Sequence, residues 1–133
     1  MTSSITQGVH HVGLTVSNLE ASADFFISLL GWKEVKRRDD YPAIFVSDGH
    51  MMLTLWATKE LPVNTFDKNR NVGLHHIALQ VSCENDLNLV FEKLISHDIA
   101  IEFSPELLGP GPAKHMMCYD PSGLRIEIIW PGN

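Results

Sequence analysis

The sequence is short of cysteine, of positive charge and of long apolar runs, and each shortage removes a class of protein. Its two cysteines, Cys83 and Cys118, form neither a CxxC pair nor a zinc-finger spacing. The chain therefore reads as a reduced protein with free thiols, not as a disulfide scaffold or zinc finger. Ten Lys and Arg face sixteen Asp and Glu, a net charge of −6 with histidine neutral. That balance argues against nucleic acid or an anionic membrane surface as partner. No uninterrupted apolar stretch approaches the roughly 18 residues of a membrane span. Residues 1–7 are polar and lack the basic segment and apolar run of a signal peptide, so the expected location is the cytoplasm. The composition, 44% hydrophobic and 20% charged over 133 residues, is that of a globular chain. The length is close to one average domain of about 150 residues.

What the sequence does contain is seven histidines and an internal repeat. Gly8-Val9-His10-His11-Val12-Gly13-Leu14-Thr15-Val16-Ser17 lines up with Gly73-Leu74-His75-His76-Ile77-Ala78-Leu79-Gln80-Val81-Ser82. The copies lie about 65 residues apart, roughly half the chain. Behind each copy comes a helical spacing of apolar residues: Leu19, Ala23, Phe26 and Leu30 in the first half, then Leu87, Val90, Phe91 and Leu94 in the second. Gly31 is a helix stop. Extended segments follow at 43–47 and 51–56 around Asp48-Gly49, a hairpin signal. Residues 115–119 and 124–130 flank a second turn, Asp120-Pro121-Ser122-Gly123. Each half thus reads as strand, helix, then two or three strands. Module one covers about 8–58, a linker about 59–71, and module two about 72–131. The proline- and glycine-rich stretch 104–114 is expected to be a surface loop or lid.

Alternation assigns faces on the two leading strands. His11, Gly13 and Thr15 point one way, and Val12, Leu14 and Val16 point toward the helix. His76, Ala78 and Gln80 separate from Ile77, Leu79 and Val81 in the same manner. Glu127 lies between Ile126 and Ile128 and by alternation points away from the core; such a carboxylate is costly to bury without a partner. The ordinary reading makes the histidines structural strand-start residues and Glu127 a solvent-facing acid. Two histidines at equivalent repeat positions plus an inward glutamate favour a metal. His11, His76 and Glu127 would form a 2-His-1-carboxylate set with open positions. Its nitrogen donors point to one divalent Zn, Ni, Co, Fe or Mn rather than Ca or Mg.

These motifs, with Asn18-Leu19-Glu20-Ala21-Ser22, Phe25-Phe26, Leu30-Gly31-Trp32 and the run Asp120 to Glu127, resemble the vicinal oxygen chelate superfamily (glyoxalase, bleomycin resistance, dioxygenase) from Gly8 to Trp130. The resemblance implies an α+β fold of two paired βαβββ modules, whose eight strands form an open barrel-like sheet around a central metal-binding cavity. It implies four ligand slots, which fall on His11, Thr54, His76 and Glu127. Glyoxalase I enzymes resembling this pattern carry a glutamate where Thr54 stands, and that glutamate is also their base. A neutral hydroxyl is a poor ligand and a poor base, so Thr54 argues against a standard glyoxalase I reaction. The resemblance also implies a homodimer, with modules exchanged between chains in some members.

The leading expectation is a glyoxalase-like enzyme. One metal ion would stabilise an enediolate formed from a small oxygen-rich substrate in lyase or isomerase chemistry, with Glu127 as ligand and proton shuttle. The alternatives are an extradiol-type ring-cleaving dioxygenase on the same triad and a metal-free binding protein of the bleomycin-resistance type. The extradiol signature is only partly met, because Tyr119 abuts Asp120 and His115 lies close before it. A fosfomycin-type enzyme needs an anion clamp, for which Lys114 and Arg125 are the late basic candidates. His10 and His75 read as strand-end or supporting groups. His50, Met52, Thr54, Trp56, Met117 and Tyr119 are possible pocket residues, although an exposed place after Gly49 suits His50 and plain core suits the methionines. Lys33, Lys36, Arg37 and Arg38 read as a solvated strand edge, His97 as an exposed connection, and Cys118 as buried and inert.

Overall fold

The computed structural model describes residues 3–132, so the start of the polar segment 1–7 lies outside the described residues. The chain divides into two compact units, one ending at Lys59 and one beginning at Glu60.

In the first unit, strand β1 (His11–Val16) leads into helix α1 (Leu19–Asp24) and then into β2 (Lys33–Arg38), β3 (Ala43–Ser47) and β4 (Met52–Ala57). The sheet order is β1-β4-β3-β2, with β1 parallel to β4 and the other pairs antiparallel. Asn18 starts the helix, its side-chain oxygen accepting from the Ala21 N–H. The sequence pattern predicts one regular helix over 19–30; instead the chain widens into a π-helical segment at Phe25–Leu29. A turn closed by i→i+5 bonds holds more residues per revolution, so neighbouring side chains diverge less. Phe25 and Phe26 are both buried there. Leu14, Val16, Ile44, Val46, Leu53 and Leu55 of the sheet are buried with them, and the Phe26 ring meets Trp32. In the hairpin turn, Asp48 accepts from the His50 and Met51 N–H groups, and Gly49 takes the positive φ that the turn requires.

The second unit repeats the plan. It contains β5 (Ile77–Gln80), helix α2 (Glu84–Ser96), β6 (Ala100–Leu107), β7 (Lys114–Tyr119) and β8 (Arg125–Trp130) in the order β5-β8-β7-β6. Each unit is therefore a βαβββ module with an open four-stranded mixed sheet, the α+β architecture expected from the repeat. Buried Leu87 and Leu94 of α2 face buried Met116, Cys118, Ile126 and Ile128.

The expected loop at 104–114 is shorter than the composition suggests. Strand β6 runs on to Leu107 through Pro105, and β7 begins at Lys114. β6 is an edge strand, and its register shifts between Phe103 and Glu106. A proline at an edge bulge removes no obligatory ladder bond. Among the described residues no helix is long and apolar enough to cross a membrane.

Candidate metal centre

Register makes the two sheets comparable residue by residue. Gly13 pairs with Thr54 and Ala78 with Glu127, so Thr54 and Glu127 occupy equivalent places, and so do Met52 and Arg125.

In the second unit, β8 turns Ile126 and Ile128 into the core and Glu127 to the opposite face. Glu127 is only 8% exposed. Its Oε1 lies 3.2 Å from His76 Nε2, and its Oε2 lies 2.8 Å from His115 Nδ1. His76 stands immediately before β5 rather than within it. His115 is on β7, opposite Ile129 and diagonal to Glu127, with its ring edge-on to Phe103. The carboxylate that alternation turned away from the core has thus found two imidazoles, which satisfies the cost of its burial.

Behind His76, its Nδ1 is 2.7 Å from His75 Nδ1, and Arg125 Nη1 approaches that same His75 nitrogen at 3.3 Å. Glu102 grips Arg125 in a bidentate pair of 2.8 and 2.7 Å and accepts from the Tyr119 hydroxyl at 2.5 Å. These bonds, with Arg125 the larger contributor, pull the Glu102 carboxyl down to about 2, and the same carboxylate pushes the Tyr119 phenol up. A depressed carboxylate stabilises the fold fully above its ordinary value near 4.5, and that contribution is lost as pH falls toward about 2. Glu102→Gln is expected to cost about 1–2 kcal/mol at pH 7, allowing for its partial exposure. It should also flatten the loss of stability between pH 4.5 and 2. Urea unfolding at pH 2, 3, 5 and 7 checks both, and parallel wild-type and variant curves would contradict the pairing.

In the first unit, His11 is exposed at the start of β1, and its Nδ1 lies 2.9 Å from His10 Nδ1. Thr54 is buried and accepts from the Trp56 indole N–H at 2.9 Å. Gly13 leaves room for that bond, since a Cβ there would stand 3.2 Å from the Thr54 hydroxyl. Tyr41 and Phe45 flank the Trp56 ring. Met52 is half-buried, and His50 is exposed in the turn. Met117 is buried and Tyr119 half-buried.

Several residues are accounted for by neighbours. Lys114 pairs with Glu84 and Arg125 with Glu102, so both candidates for an anion clamp already hold carboxylates. Arg37 pairs with Glu20 and Glu34, and Arg38 with Asp40, on the exposed edge strand β2. Burial pushes the Cys118 thiol up to about 12, which leaves it inert.

Imidazole nitrogen and carboxylate oxygen are donor types that a divalent transition metal takes. Two donors bound at about 2.1 Å on adjacent corners of a tetrahedron or octahedron stand about 3.0–3.4 Å apart. The His76 to Glu127 separation of 3.2 Å falls in that interval. Among the described residues, no group of three or more His, Cys, Asp or Glu side chains is placed so that it could hold a metal ion.

The sequence profile of the Glyoxalase/Bleomycin resistance protein/Dioxygenase superfamily matches residues 8–128. The chain belongs to that superfamily. A catechol-2,3-dioxygenase of Bacillus subtilis (strain 168) is 29% identical over 122 residues. The match takes in 89% of this chain and 40% of that enzyme, so the chain spans well under half of that relative's length. The uncharacterized protein YqjT of the same organism is 27% identical over 128 residues, with 92% of this chain and 98% of YqjT covered. Among solved structures, a glyoxylase/bleomycin resistance protein/dioxygenase domain from Frankia sp. EAN1pec superposes with a TM-score of 0.83 at 26% identity, covering 95% of this chain and 93% of that one. Superfamily members typically bind a divalent metal and a small-molecule substrate.

His115 is the residue that repeat-based reasoning passed over. Sequence alone carried one usable signal: pairing back across the Asp120 turn sets 115 opposite 129, on the face that holds Glu127.

Proposed function

We propose that this superfamily member is a metal-dependent enzyme in which His11, His76 and Glu127 share one divalent ion and act on a small molecule with adjacent oxygens. The observation that carries the proposal is the buried Glu127 carboxylate with His76 Nε2 at 3.2 Å. His11 enters as the repeat equivalent of His76. Both modules, about 8–58 and 72–131, then serve a single function, within one chain or across a homodimer with exchanged modules.

A divalent ion bound by these donors would supply Lewis acidity toward a substrate oxygen. The chain itself supplies proton handling. With Thr54 in place of a second carboxylate, the base must come from elsewhere, and His115 is suitably placed. Its Nδ1–H donates to Glu127 Oε2, which leaves the Nε2 lone pair to take a proton. That arrangement supports lyase or isomerase chemistry, in which a proton leaves one carbon and returns to a neighbouring atom.

A second reading, ring cleavage with O₂, is supported by the catechol-2,3-dioxygenase relative and by the 2-His-1-carboxylate donor set. One experiment separates the two. Protein reconstituted with Fe(II), Mn(II), Ni(II), Co(II) or Zn(II) is assayed against hemithioacetals, hydroxyketones and catechols while dissolved O₂ is recorded. Turnover without O₂ uptake is expected. Stoichiometric O₂ uptake with a catechol would replace the first reading by the second. Metal-free protein that binds these molecules without turnover would overturn both.

A further inference from the structure

One face of the first sheet gathers aromatic rings and cations. Trp56 pairs with Ala43 and Ala43 with Arg38, while Thr54 pairs with Gly13 on one side and Phe45 on the other. Residues paired directly across a sheet share a face, and this one is opposite buried Leu53 and Leu55. The Trp56 indole N–H donates to the buried Thr54 hydroxyl at 2.9 Å, which fixes how the ring lies. Gly13 leaves room for it, since a Cβ there would stand 3.5 Å from the indole nitrogen. Tyr41 and Phe45 meet the Trp56 ring at 76° and 56°, with centroids 5.1 and 5.6 Å away. All three rings are half-buried, so together they wall an open notch within the first unit. The second module has no such notch: register sets Glu127 where Thr54 stands, Ile129 where Trp56 stands and Met117 where Phe45 stands.

Two of the rings carry a cation of the chain itself. The Arg38 guanidinium carbon is 5.7 Å from the Trp56 centroid, and Lys59 Nζ is 3.9 Å from the Tyr41 centroid. The ring quadrupoles hold these cations, and the positive rim they make repels a cationic ligand. Asp40 offsets part of the charge by holding Arg38 through Nε and Nη2, which leaves Nη1 free to donate. Among the described residues no carboxylate pairs with Lys59. The ligand chemistry that fits is a planar ring edge-on or offset against the aromatic walls, with an anionic group at the rim for the guanidinium and ammonium. We propose that this notch selects the ligand of the protein and takes an aryl acid, a ring bearing a carboxylate, with Thr54 as the positioning residue that holds Trp56. The fourth ligand slot of the duplicated plan thus serves an aromatic wall in the first module and a carboxylate in the second. That the aryl acid is also the substrate rests on the function proposed above; its binding at Trp56 does not, and the two are measured apart.

The indole N–H signals of the three tryptophans are followed by 1H–15N spectra of chelator-treated full-length protein, with Trp56→Phe assigning the Trp56 signal. The titrants are benzoate, cyclohexanecarboxylate and benzamide. Benzoate is expected to move the Trp56 signal. It should bind at least about threefold more tightly than cyclohexanecarboxylate, which keeps the charge and lacks the ring electrons. It should bind at least about tenfold more tightly than benzamide, which keeps the ring and lacks the charge. Thr54→Val should weaken benzoate binding about 3–10-fold, and Thr54→Ser, which restores the acceptor, should bind like the wild type. An unmoved Trp56 signal, or equal affinities for the three compounds, would overturn the proposal in the wild type alone, even if Thr54→Val failed to fold. Unchanged benzoate affinity in folded Thr54→Val would remove the positioning role. Selective binding at Trp56 by protein that takes up no Mn²⁺ or Zn²⁺ would leave the notch standing and remove the metal proposal. Metal uptake with no benzoate at Trp56 would do the reverse.

Discussion

Glu127→Gln is expected to bind Mn²⁺ or Zn²⁺ at least about 100-fold more weakly than the wild type, and to purify without metal while remaining folded. Glutamine preserves the shape between buried Ile126 and Ile128, so packing on the core side is untouched. What changes is charge and donor strength. A carboxylate offers a full negative charge to a cation, and an amide oxygen offers only a dipole. The amide also replaces one of the two acceptor oxygens by an NH2 donor, so it cannot accept from both of the nitrogens 3.2 and 2.8 Å away as the carboxylate does. Removing a group that merely supports a ligand typically costs 10–100-fold in affinity, so losing the one charged donor should exceed that range. Elemental analysis of protein purified without chelator, followed by calorimetric titration, measures the effect. Undiminished metal content with a wild-type unfolding curve would exclude Glu127 as a ligand. His115→Gln is the informative contrast. If His115 is the proton carrier and not a ligand, that variant keeps most of its metal affinity and loses turnover by about 100-fold or more.

The repeat made much of this legible before any coordinates. Duplicated Gly-x-His-His segments announced two copies of one module, and alternation divided each leading strand into the faces now seen, with Leu14 and Val16 buried and His11, Gly13 and Thr15 exposed. The equivalence of Thr54 and Glu127 followed from Leu53-Leu55 matching Ile126-Ile128, and the strand registers agree. The same method concealed His115. Its counterpart in module one is Ala43, which pairs with Trp56 as His115 pairs with Ile129. A search tuned to duplicated chemistry passes over a residue present in one copy only. The pairing of Arg125 with Glu102 stayed hidden for another reason. A pairing between an edge strand and an inner strand, set across a bulge between Ile101 and Phe103, depends on a register that no local pattern encodes. The π-helical segment is likewise a response to packing two adjacent phenylalanines, and apolar spacing suited to an ordinary helix does not announce it.

Phe26→Ala is expected to lower the unfolding free energy by about 3–5 kcal/mol, and the melting temperature by roughly 10 °C or more. Phe26 has no solvent exposure. Its ring centroid is 5.1 Å from that of Phe25 in an edge-on contact and 5.2 Å from that of Trp32, and its carbonyl accepts from the Trp32 N–H at 2.9 Å. Truncation to alanine opens a cavity lined by two aromatic rings that are themselves tied to the π-helical backbone, so the site has little freedom to collapse. An exposed apolar residue of the other helix gives the scale: Leu89→Ala, on α2, should change stability by no more than about 0.5 kcal/mol. Urea denaturation followed by tryptophan fluorescence measures both, and a loss below about 1 kcal/mol for Phe26→Ala would mean that the two rings repack without it. The cavity lies on the helix side of the first sheet, opposite the face that carries His11, Gly13 and Thr15. The folded fraction of Phe26→Ala should therefore keep its metal affinity, and Glu127→Gln should show the converse, a stable fold without bound metal. The two variants together separate the side of the sheet that holds the molecule folded from the side that carries the proposed chemistry.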